Sequence, residues 1–283
     1  MPNSIRKYLN NQSKFISIQG MNVHYRMEGT GPDMVLVHGA FSSLHTFEAW
    51  VNHFKKSYRV TSFDLPGFGY TGRHPEGNYE LTIYMSFFEE LLNKLNIKDC
   101  IMAGNSLGGM LCWEFSLLHQ SLVKKLILID SVGFVNQWSM PKPVLQAQNI
   151  VFRNLLKLWM PRFILEKHVK EVYADSSKVS STILNRYYDL FIGERNHLAF
   201  IDFVKQEIKD NSHHLPNLKI PTLILWGRQD RWIPVRIASL FADAIPNSQL
   251  IIYENCGHVP MEEMTEETIR DVSEFLLVSQ LKE

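Results

Sequence analysis

Short apolar runs alternate with stretches of helical periodicity along much of the chain. Residues 34–37 and 126–129 are apolar without interruption, which is typical of parallel strands buried on both faces. Residues 81–95 instead repeat apolar side chains at helical spacing. The pattern predicts strands at residues 15–19, 23–27, 34–37, 59–63, 100–103, 126–129, 222–226 and 249–253. It predicts helices at residues 47–54, 81–95, 110–119 and 265–278.

Strands and helices alternate from residue 34 to residue 129, which predicts an α/β fold with a mostly parallel central sheet flanked by helices. Residues 134–215 show no comparable central strand, and their aromatic and long apolar side chains follow helical spacing. We therefore predict a core formed by residues 1–133 and 216–283, with residues 134–215 inserted as a helical cap. The cap would cover the carboxyl ends of the strands, where open α/β sheets bind ligands.

Composition excludes several classes of protein. The 283 residues are 45% hydrophobic, enough for one large domain with an insertion. A net charge of zero gives no electrostatic footprint for nucleic acid or an anionic membrane. Three cysteines fit a reduced compartment better than a disulfide framework. With no signal-peptide pattern and no run of 18 apolar residues, we expect a cytoplasmic monomer or homodimer without stable membrane association.

Residues 104–108 read Gly-Asn-Ser-Leu-Gly and fit the pattern G-x-S-x-G. A predicted strand precedes them and a helical segment follows, as in a strand-turn-helix junction. Such a turn strains the serine backbone and exposes its hydroxyl, and it needs flanking glycines because a Cβ would crowd the neighbouring backbone. Ser106 is therefore the candidate nucleophile.

A serine nucleophile needs a base, and the base needs an acid that orients it. Asp230 and His258 each follow a predicted strand, and loops at the carboxyl ends of parallel strands share one edge of the sheet. Asp130 also ends a predicted strand and is the alternative acid. The segment Gly-Arg-Gln-Asp at residues 227–230 favours Asp230.

The chain resembles the α/β-hydrolases with a helical cap over about residues 15–277. The motifs that support the resemblance are His-Gly at 38–39, Asp-Leu-Pro-Gly-Phe-Gly at 64–69, the turn at Ser106, Gly-Arg-Gln-Asp at 227–230 and Gly-His at 257–258. The resemblance implies Ser106 as nucleophile, His258 as general base and then acid, and Asp230 as the orienting acid. It also implies an oxyanion hole formed by the backbone N–H groups of Ala40 and Leu107, with Phe41 as a less favoured alternative.

Serine at this turn narrows the chemistry, because relatives that open epoxides or displace halide carry aspartate there. We predict a serine esterase that hydrolyses a small-molecule carboxylic ester with a short to medium apolar acyl chain, without metal or cofactor. The alternatives are a C–C bond hydrolase of the meta-cleavage product type and a ligand-binding scaffold without turnover. Phe41, Trp138 and Trp232 are predicted to bind substrate.

Other polar residues beside these motifs are predicted to be structural. Asp64 would hold a turn next to the site, and His38 would lie behind the oxyanion loop. Cys256 is interpreted as a packed thiol. The two histidines at residues 213–214 are interpreted as part of a solvated loop rather than as metal ligands, because no cysteine or carboxylate lies nearby at metal-ligand spacing.

Overall fold

The computed structural model describes residues 5–138, 140–151, 153–154 and 161–278, and one eight-stranded sheet forms their centre. The strands are β1 (Lys14–Ile18), β2 (Met21–Glu28), β3 (Asp33–Val37), β4 (Arg59–Phe63), β5 (Cys100–Asn105), β6 (Val123–Ile129), β7 (Thr222–Gly227) and β8 (Ser248–Tyr253). Their order across the sheet is β1-β2-β4-β3-β5-β6-β7-β8. The pairings β1 with β2 and β2 with β4 are antiparallel, and those from β4 to β8 are parallel. The eight predicted strands are confirmed.

Ten helices lie within the described ranges and flank the sheet. They are α1 (Glu48–Phe54), α2 (Leu81–Lys94), α3 (Leu107–Leu118), α4 (Lys142–Gln148), α5 (Arg162–Glu171), α6 (Ser181–Ile192), α7 (Asn196–Phe203), α8 (Arg236–Ala244), α9 (Pro260–Glu263) and α10 (Thr265–Val278). Every residue of β5 and β7 is buried, as expected of strands with helices on both faces. The predicted α/β fold class is confirmed. None of the described helices is long and apolar enough to cross a membrane.

Two predicted helix starts are corrected by the structure. The helix predicted at residues 110–119 begins at Leu107, because Ser106 itself turns the chain at a positive φ and helical geometry starts at the next residue. The helix predicted at residues 47–54 begins at Glu48, after one 3₁₀ turn at Leu44–Phe47. Such short turns often precede helices and are not visible in the apolar periodicity.

Between β6 and β7 the described residues form α4 to α7 and no strand. This segment is tied to the rest of the protein by buried hydrogen bonds. The Asn196 side-chain amide donates to the Gly69 carbonyl at 2.8 Å, and the His258 N–H donates to the Val172 carbonyl at 2.6 Å. The division into a core, residues 1–133 and 216–283, and a cap, residues 134–215, stays a prediction.

Candidate active site

Ser106 lies at the turn between β5 and α3, in a strained backbone conformation. Its φ of 55° and ψ of −118° are uncommon for a residue with a side chain. A Cβ at Gly104 would lie 2.3 Å from the Gly108 carbonyl oxygen, and a Cβ at Gly108 would lie 2.3 Å from the Val37 carbonyl oxygen. The turn therefore requires glycine at both positions.

The main chain of Ser106 is held by three hydrogen bonds. Its N–H donates to the Ile129 carbonyl of β6 at 2.9 Å. Its carbonyl accepts from the N–H groups of Met110 and Val132, each at 3.1 Å. The hydroxyl is thus placed by a strand and a helix rather than by a mobile loop, which favours precise positioning.

His258 and Asp230 form a buried pair. His258 Nδ1 lies 2.7 Å from Asp230 Oδ2, and Asp230 Oδ1 accepts from the N–H groups of Trp232 at 2.7 Å and Ile233 at 3.0 Å. Because an ionised carboxylate can only accept hydrogen bonds, the shared proton is on Nδ1. His258 Nε2 is buried and has no hydrogen-bond partner among the described residues. In the neutral ring this nitrogen is the one that can accept a proton.

The loop that holds His258 is fixed from two sides. The Asn105 side-chain amide donates to the His258 carbonyl at 3.0 Å, which links this loop to the residue before Ser106. The Glu263 carboxylate accepts from the Gly257 N–H at 2.8 Å. These bonds, together with the His258 N–H bond to Val172, set the ring relative to the turn at Ser106.

Asp130, the alternative acid, occupies a neighbouring position. It is fully buried at the end of β6, and its Oδ1 accepts from the Gly227 N–H at 3.0 Å, whereas Asp230 pairs with the histidine ring. Asp130, Asp230 and His258 bring ligand-type atoms within 4.8 Å of one another. Both oxygens of Asp230 and Nδ1 of His258 are already hydrogen-bonded, so the group fits an acid–histidine pair better than a metal site.

A cavity lies over Ser106 and His258 and encloses about 670 Å³ of empty space, its mouth included. The wall is mainly apolar, with Ile164, Leu165, Val169, Val172, Phe200 and Val259. Its other polar side chains are Ser42, Asn105, Gln146, His168 and Tyr187. Within the part of the chain that the structure describes, no arginine, lysine, aspartate or glutamate lines the cavity.

The residues predicted to form an oxyanion hole lie beside this cavity. Ala40 lines it directly. Leu107 is the first residue of α3, so its N–H has no partner within the helix and lies at the positive end of the helix dipole. Phe41 follows Ala40 with a φ of 63°, a second strained position in the wall. The assignment of Ala40 and Leu107 to an oxyanion hole stays a prediction.

Two of the three residues predicted to bind substrate lie in the cavity wall. Phe41 and Trp232 both line it, their ring centroids are 5.9 Å apart, and the Trp232 ring centroid is 5.5 Å from that of His258. Trp138 is not among the described lining residues, and its indole N–H donates to the Gly133 carbonyl at 2.9 Å. This position gives no support to a substrate-binding role for Trp138.

Part of the cavity wall comes from residues of the segment between β6 and β7 that were not predicted from the sequence. Val172 and Tyr187 belong to it, and the Tyr187 hydroxyl donates to the Glu262 carboxylate at 3.1 Å. Helical periodicity shows that α5 and α6 have apolar faces. It does not show which of those side chains reach the cavity, so no signal in the sequence distinguishes them from ordinary core residues.

Asp64 and His38 support the loop that contains Ala40. The Asp64 carboxylate accepts from the N–H groups of Leu44 and Tyr70, each at 2.8 Å, and from His24 Nδ1 at 2.7 Å. Burial alone would raise the pKa of Asp64, but the charge of His24 and its hydrogen bond outweigh burial and lower the pKa.

His38 is held as a neutral ring. Its Nδ1 donates to the Gly39 carbonyl at 2.7 Å, and its Nε2 accepts from the Leu65 N–H at 2.9 Å. Burial lowers the pKa of His38 in agreement with these roles. Cys256 is a free, buried thiol.

The model of the alpha/beta hydrolase fold family matches residues 32–264 of this chain. The chain belongs to the α/β-hydrolase fold family. The matched range covers the strands β3 to β8 and contains Ser106, Asp230 and His258. The resemblance noted from the sequence motifs is thereby confirmed, and the protein is a hydrolase of this fold.

Relatives of the hydrolase differ in the substrates that their names describe. A 2-hydroxy-6-oxononadienedioate/2-hydroxy-6-oxononatrienedioate hydrolase of Burkholderia vietnamiensis is 28% identical over 285 residues, which cover 93% of this chain and 95% of the relative. Lipase 1 of Psychrobacter immobilis is 28% identical over 260 residues, which cover 87% and 77%. The meta-cleavage product hydrolase of Pseudomonas fluorescens IP01 superposes with a TM-score of 0.83 at 22% identity, over 95% of this chain and all of that structure.

Proposed function

We propose that this α/β-hydrolase is a serine esterase that cleaves neutral carboxylic esters with short to medium apolar acyl groups. The observation that supports this substrate class is the wall of the cavity. It is mainly apolar and aromatic, and its described residues include no arginine or lysine that could pair with a substrate carboxylate. A dicarboxylate in such a cavity would leave its charges unpaired in a low dielectric, which is costly.

In the proposed mechanism, His258 Nε2 removes the proton from the Ser106 hydroxyl as the oxygen attacks the ester carbonyl. Asp230 keeps the proton on Nδ1 and stabilises the imidazolium. The N–H groups of Ala40 and Leu107 stabilise the oxyanion. His258 then protonates the departing alkoxide, and water, activated by the same nitrogen, hydrolyses the acyl-enzyme.

Polar groups of the wall fit a neutral ester. Ser42 and Tyr187 contribute hydroxyls, and the indole N–H of Trp232 is buried without a partner within the described part of the chain. An unpaired buried donor costs free energy, and an ester oxygen bound near it would reduce that cost. Phe41 and Trp232 supply apolar area beside the histidine ring, which suits an acyl or alkyl group.

A second candidate is hydrolysis of a C–C bond in a meta-cleavage product. The relative from Burkholderia vietnamiensis, which matches nearly the full length of the chain, supports this reading. The lipase matches at the same identity but over less of both chains, and a meta-cleavage product hydrolase is also among the similar structures, so the comparisons support this candidate somewhat more than the ester reading. The scaffold without turnover is the third candidate, and the buried Asp230–His258 pair argues against it because a binding protein has no need of it.

The experiment that tests the proposal is hydrolysis of p-nitrophenyl esters from acetate to palmitate by the wild type and by Ser106→Ala. We expect the wild type to peak at short or medium chains and Ser106→Ala to be inactive but folded. Ser116→Ala is the matched control, because it removes a buried hydroxyl that donates to the Cys112 carbonyl in the same helix and has no other hydrogen bond to the described residues. It should keep the activity.

Other outcomes point to the alternatives. An inactive wild type that cleaves a vinylogous diketone acid would establish the second candidate. A wild type that cleaves neither compound, and that a fluorophosphonate probe does not label at Ser106, would establish the scaffold.

A further inference from the structure

Asp130 is fully buried between the ends of two central strands. Its backbone, with a φ of 43°, turns the chain after β6, and its N–H donates to the Leu225 carbonyl of β7 at 3.0 Å. Its Oδ1 accepts from the N–H of Gly227, the last residue of β7, at 3.0 Å. The carboxyl group is therefore fixed beside the loop that contains Asp230.

The surroundings of the second carboxyl oxygen of Asp130 favour the protonated form over the ionised form. Oδ2 is buried, and among the described residues no donor pairs with it. Asp230 and His258 lie close by, with ligand-type atoms of all three residues within 4.8 Å. As a carboxylate, Asp130 would carry an unpaired charge next to the charge of Asp230. As a carboxylic acid, its Oδ2–H is itself a donor, and a carboxylate oxygen of Asp230 lies within 4.8 Å of the Asp130 carboxyl group.

Of the two carboxyl groups, that of Asp230 is the one that carries the negative charge. Asp230 accepts three hydrogen bonds, from the ring of His258 and from two backbone N–H groups. Within the described part of the chain, the Asp130 carboxyl group accepts one hydrogen bond, from the Gly227 N–H. Two buried carboxyl groups this close cannot both ionise readily, and the one with more donors keeps the charge.

The other titratable groups around Asp130 also favour its protonated form. Burial, and then the charge of Asp230, raise the pKa of Asp130, and the negative charge of Glu263 raises it further. Cys256 faces the same carboxyl group, and burial raises the pKa of its thiol, so it is neutral. No described group next to Asp130 supplies a positive charge that would favour its ionised form, apart from His258 when the imidazolium forms during catalysis.

We propose that Asp130 is a positioning residue, a neutral carboxylic acid that donates a hydrogen bond to Asp230 and so holds that carboxylate against His258. The proposal rests on the proposed catalytic roles of Ser106, His258 and Asp230. Asp130 and Asp230 then form one unit that shares two carboxyl groups and one negative charge. The unit explains why the chain has acids at the ends of both β6 and β7.

The first test replaces the neutral acid by its neutral isostere. In Asp130→Asn the amide oxygen can accept from Gly227, and the amide nitrogen can donate to Asp230. We expect the pseudo-first-order rate of Ser106 labelling by a fluorophosphonate to stay within about twofold of wild type. The pH at which this rate is half its maximum on the acid side should be unchanged. Asp130→Leu, which keeps the branching of the side chain but can form no hydrogen bond, should be slower by about tenfold or more.

A shift in the acid-side midpoint of the pH profile of Ser106 labelling would overturn the proposal. If Asp130 were ionised, its removal would take a negative charge away from the imidazolium, and the acid-side midpoint in Asp130→Asn would fall by about half a pH unit or more. Equal labelling rates in Asp130→Leu and wild type would show that the hydrogen bond does not position Asp230. Asp230→Asn is the control for an ionised acid and should lose on the order of 10⁴ in rate.

A second measurement does not depend on activity. The infrared spectrum of the wild type at pH 8, where Glu114 is ionised, should contain the C=O stretch of a buried protonated carboxyl group, and that band should be missing from Asp130→Asn. Its presence in both proteins, or in neither, would contradict a neutral Asp130. If the wild type is not labelled at Ser106, the proposed function fails, and the infrared result still decides the protonation state of Asp130.

Discussion

Asp64 offers a sharp test of how the predicted oxyanion loop is held. The change Asp64→Ala removes the acceptor of three hydrogen bonds, from the N–H groups of Leu44 and Tyr70 and from Nδ1 of His24. A buried donor without a partner costs about 1–3 kcal/mol. Taking the lower half of that range for each of the three donors, because water can enter the space left by the carboxyl group, we expect a loss of about 3–6 kcal/mol.

That loss corresponds to a fall in Tm of roughly 5–10 °C for a chain of this size. Differential scanning calorimetry at pH 7 measures it. Asp243→Ala is the control, because Asp243 is exposed on α8 and its removal should change the stability by less than about 0.5 kcal/mol. The reasoning would be refuted if Asp64→Ala lost no more stability than this control.

The pH dependence of stability gives a second measure of Asp64. Its pKa is lowered in the folded protein, because the effect of His24 outweighs that of burial, and the unfolded value is about 3.9. The charge therefore stabilises the fold above about pH 4, and this contribution is lost as the pH falls through the folded-state pKa. Relative to Asp64→Asn, the wild type should keep its full advantage at pH 7 and lose it progressively below about pH 4.

Three other changes test separate features. Gly104→Ala places a Cβ 2.3 Å from the Gly108 carbonyl oxygen, so we expect little folded protein by circular dichroism and no labelling of Ser106; normal folding would contradict the packing at the turn. Burial raises the pKa of Glu114 to about 6, so its charge destabilises the fold above that pH. Glu114→Gln should therefore raise the Tm at pH 8 and leave it unchanged near pH 4. A Tm raised at pH 4 but not at pH 8 would contradict this. Tyr187→Phe removes a bond to Glu262 in the cavity wall; it should cost about 0.5–1.5 kcal/mol and change KM more than kcat in ester kinetics, whereas a change in kcat alone would place Tyr187 in the chemistry.

The sequence predicts the sheet and the candidate nucleophile because both depend on local patterns. Unbroken apolar runs mark β3 and β6, and glycines at fixed spacing mark the turn at Ser106. The acid could be chosen from its motif, and the structure pairs Asp230 rather than Asp130 with the histidine.

Properties that depend on packing between distant segments could not be predicted. Tyr187 and Val172 reach the cavity only because α6 and the residues after α5 lie against the loops that follow β3 and β8. Trp138, chosen because it lies next to the hinge of the predicted cap along the chain, donates to the Gly133 carbonyl instead. The state of Asp130 depends on a neighbour 100 positions away in the chain, which no local pattern encodes.

The connection between β6 and β7 affects how the protein can be made. The two strands are neighbours in the sheet, yet the 92 residues from 130 to 221 separate them in the chain. At about 5–20 residues per second, a ribosome needs roughly 5–20 s to synthesise that interval. During this time β6, whose apolar residues are buried in the finished sheet, has an unpaired edge that another nascent chain could join. We therefore expect the yield of native protein to depend on chaperones and on the temperature of expression, through this one edge.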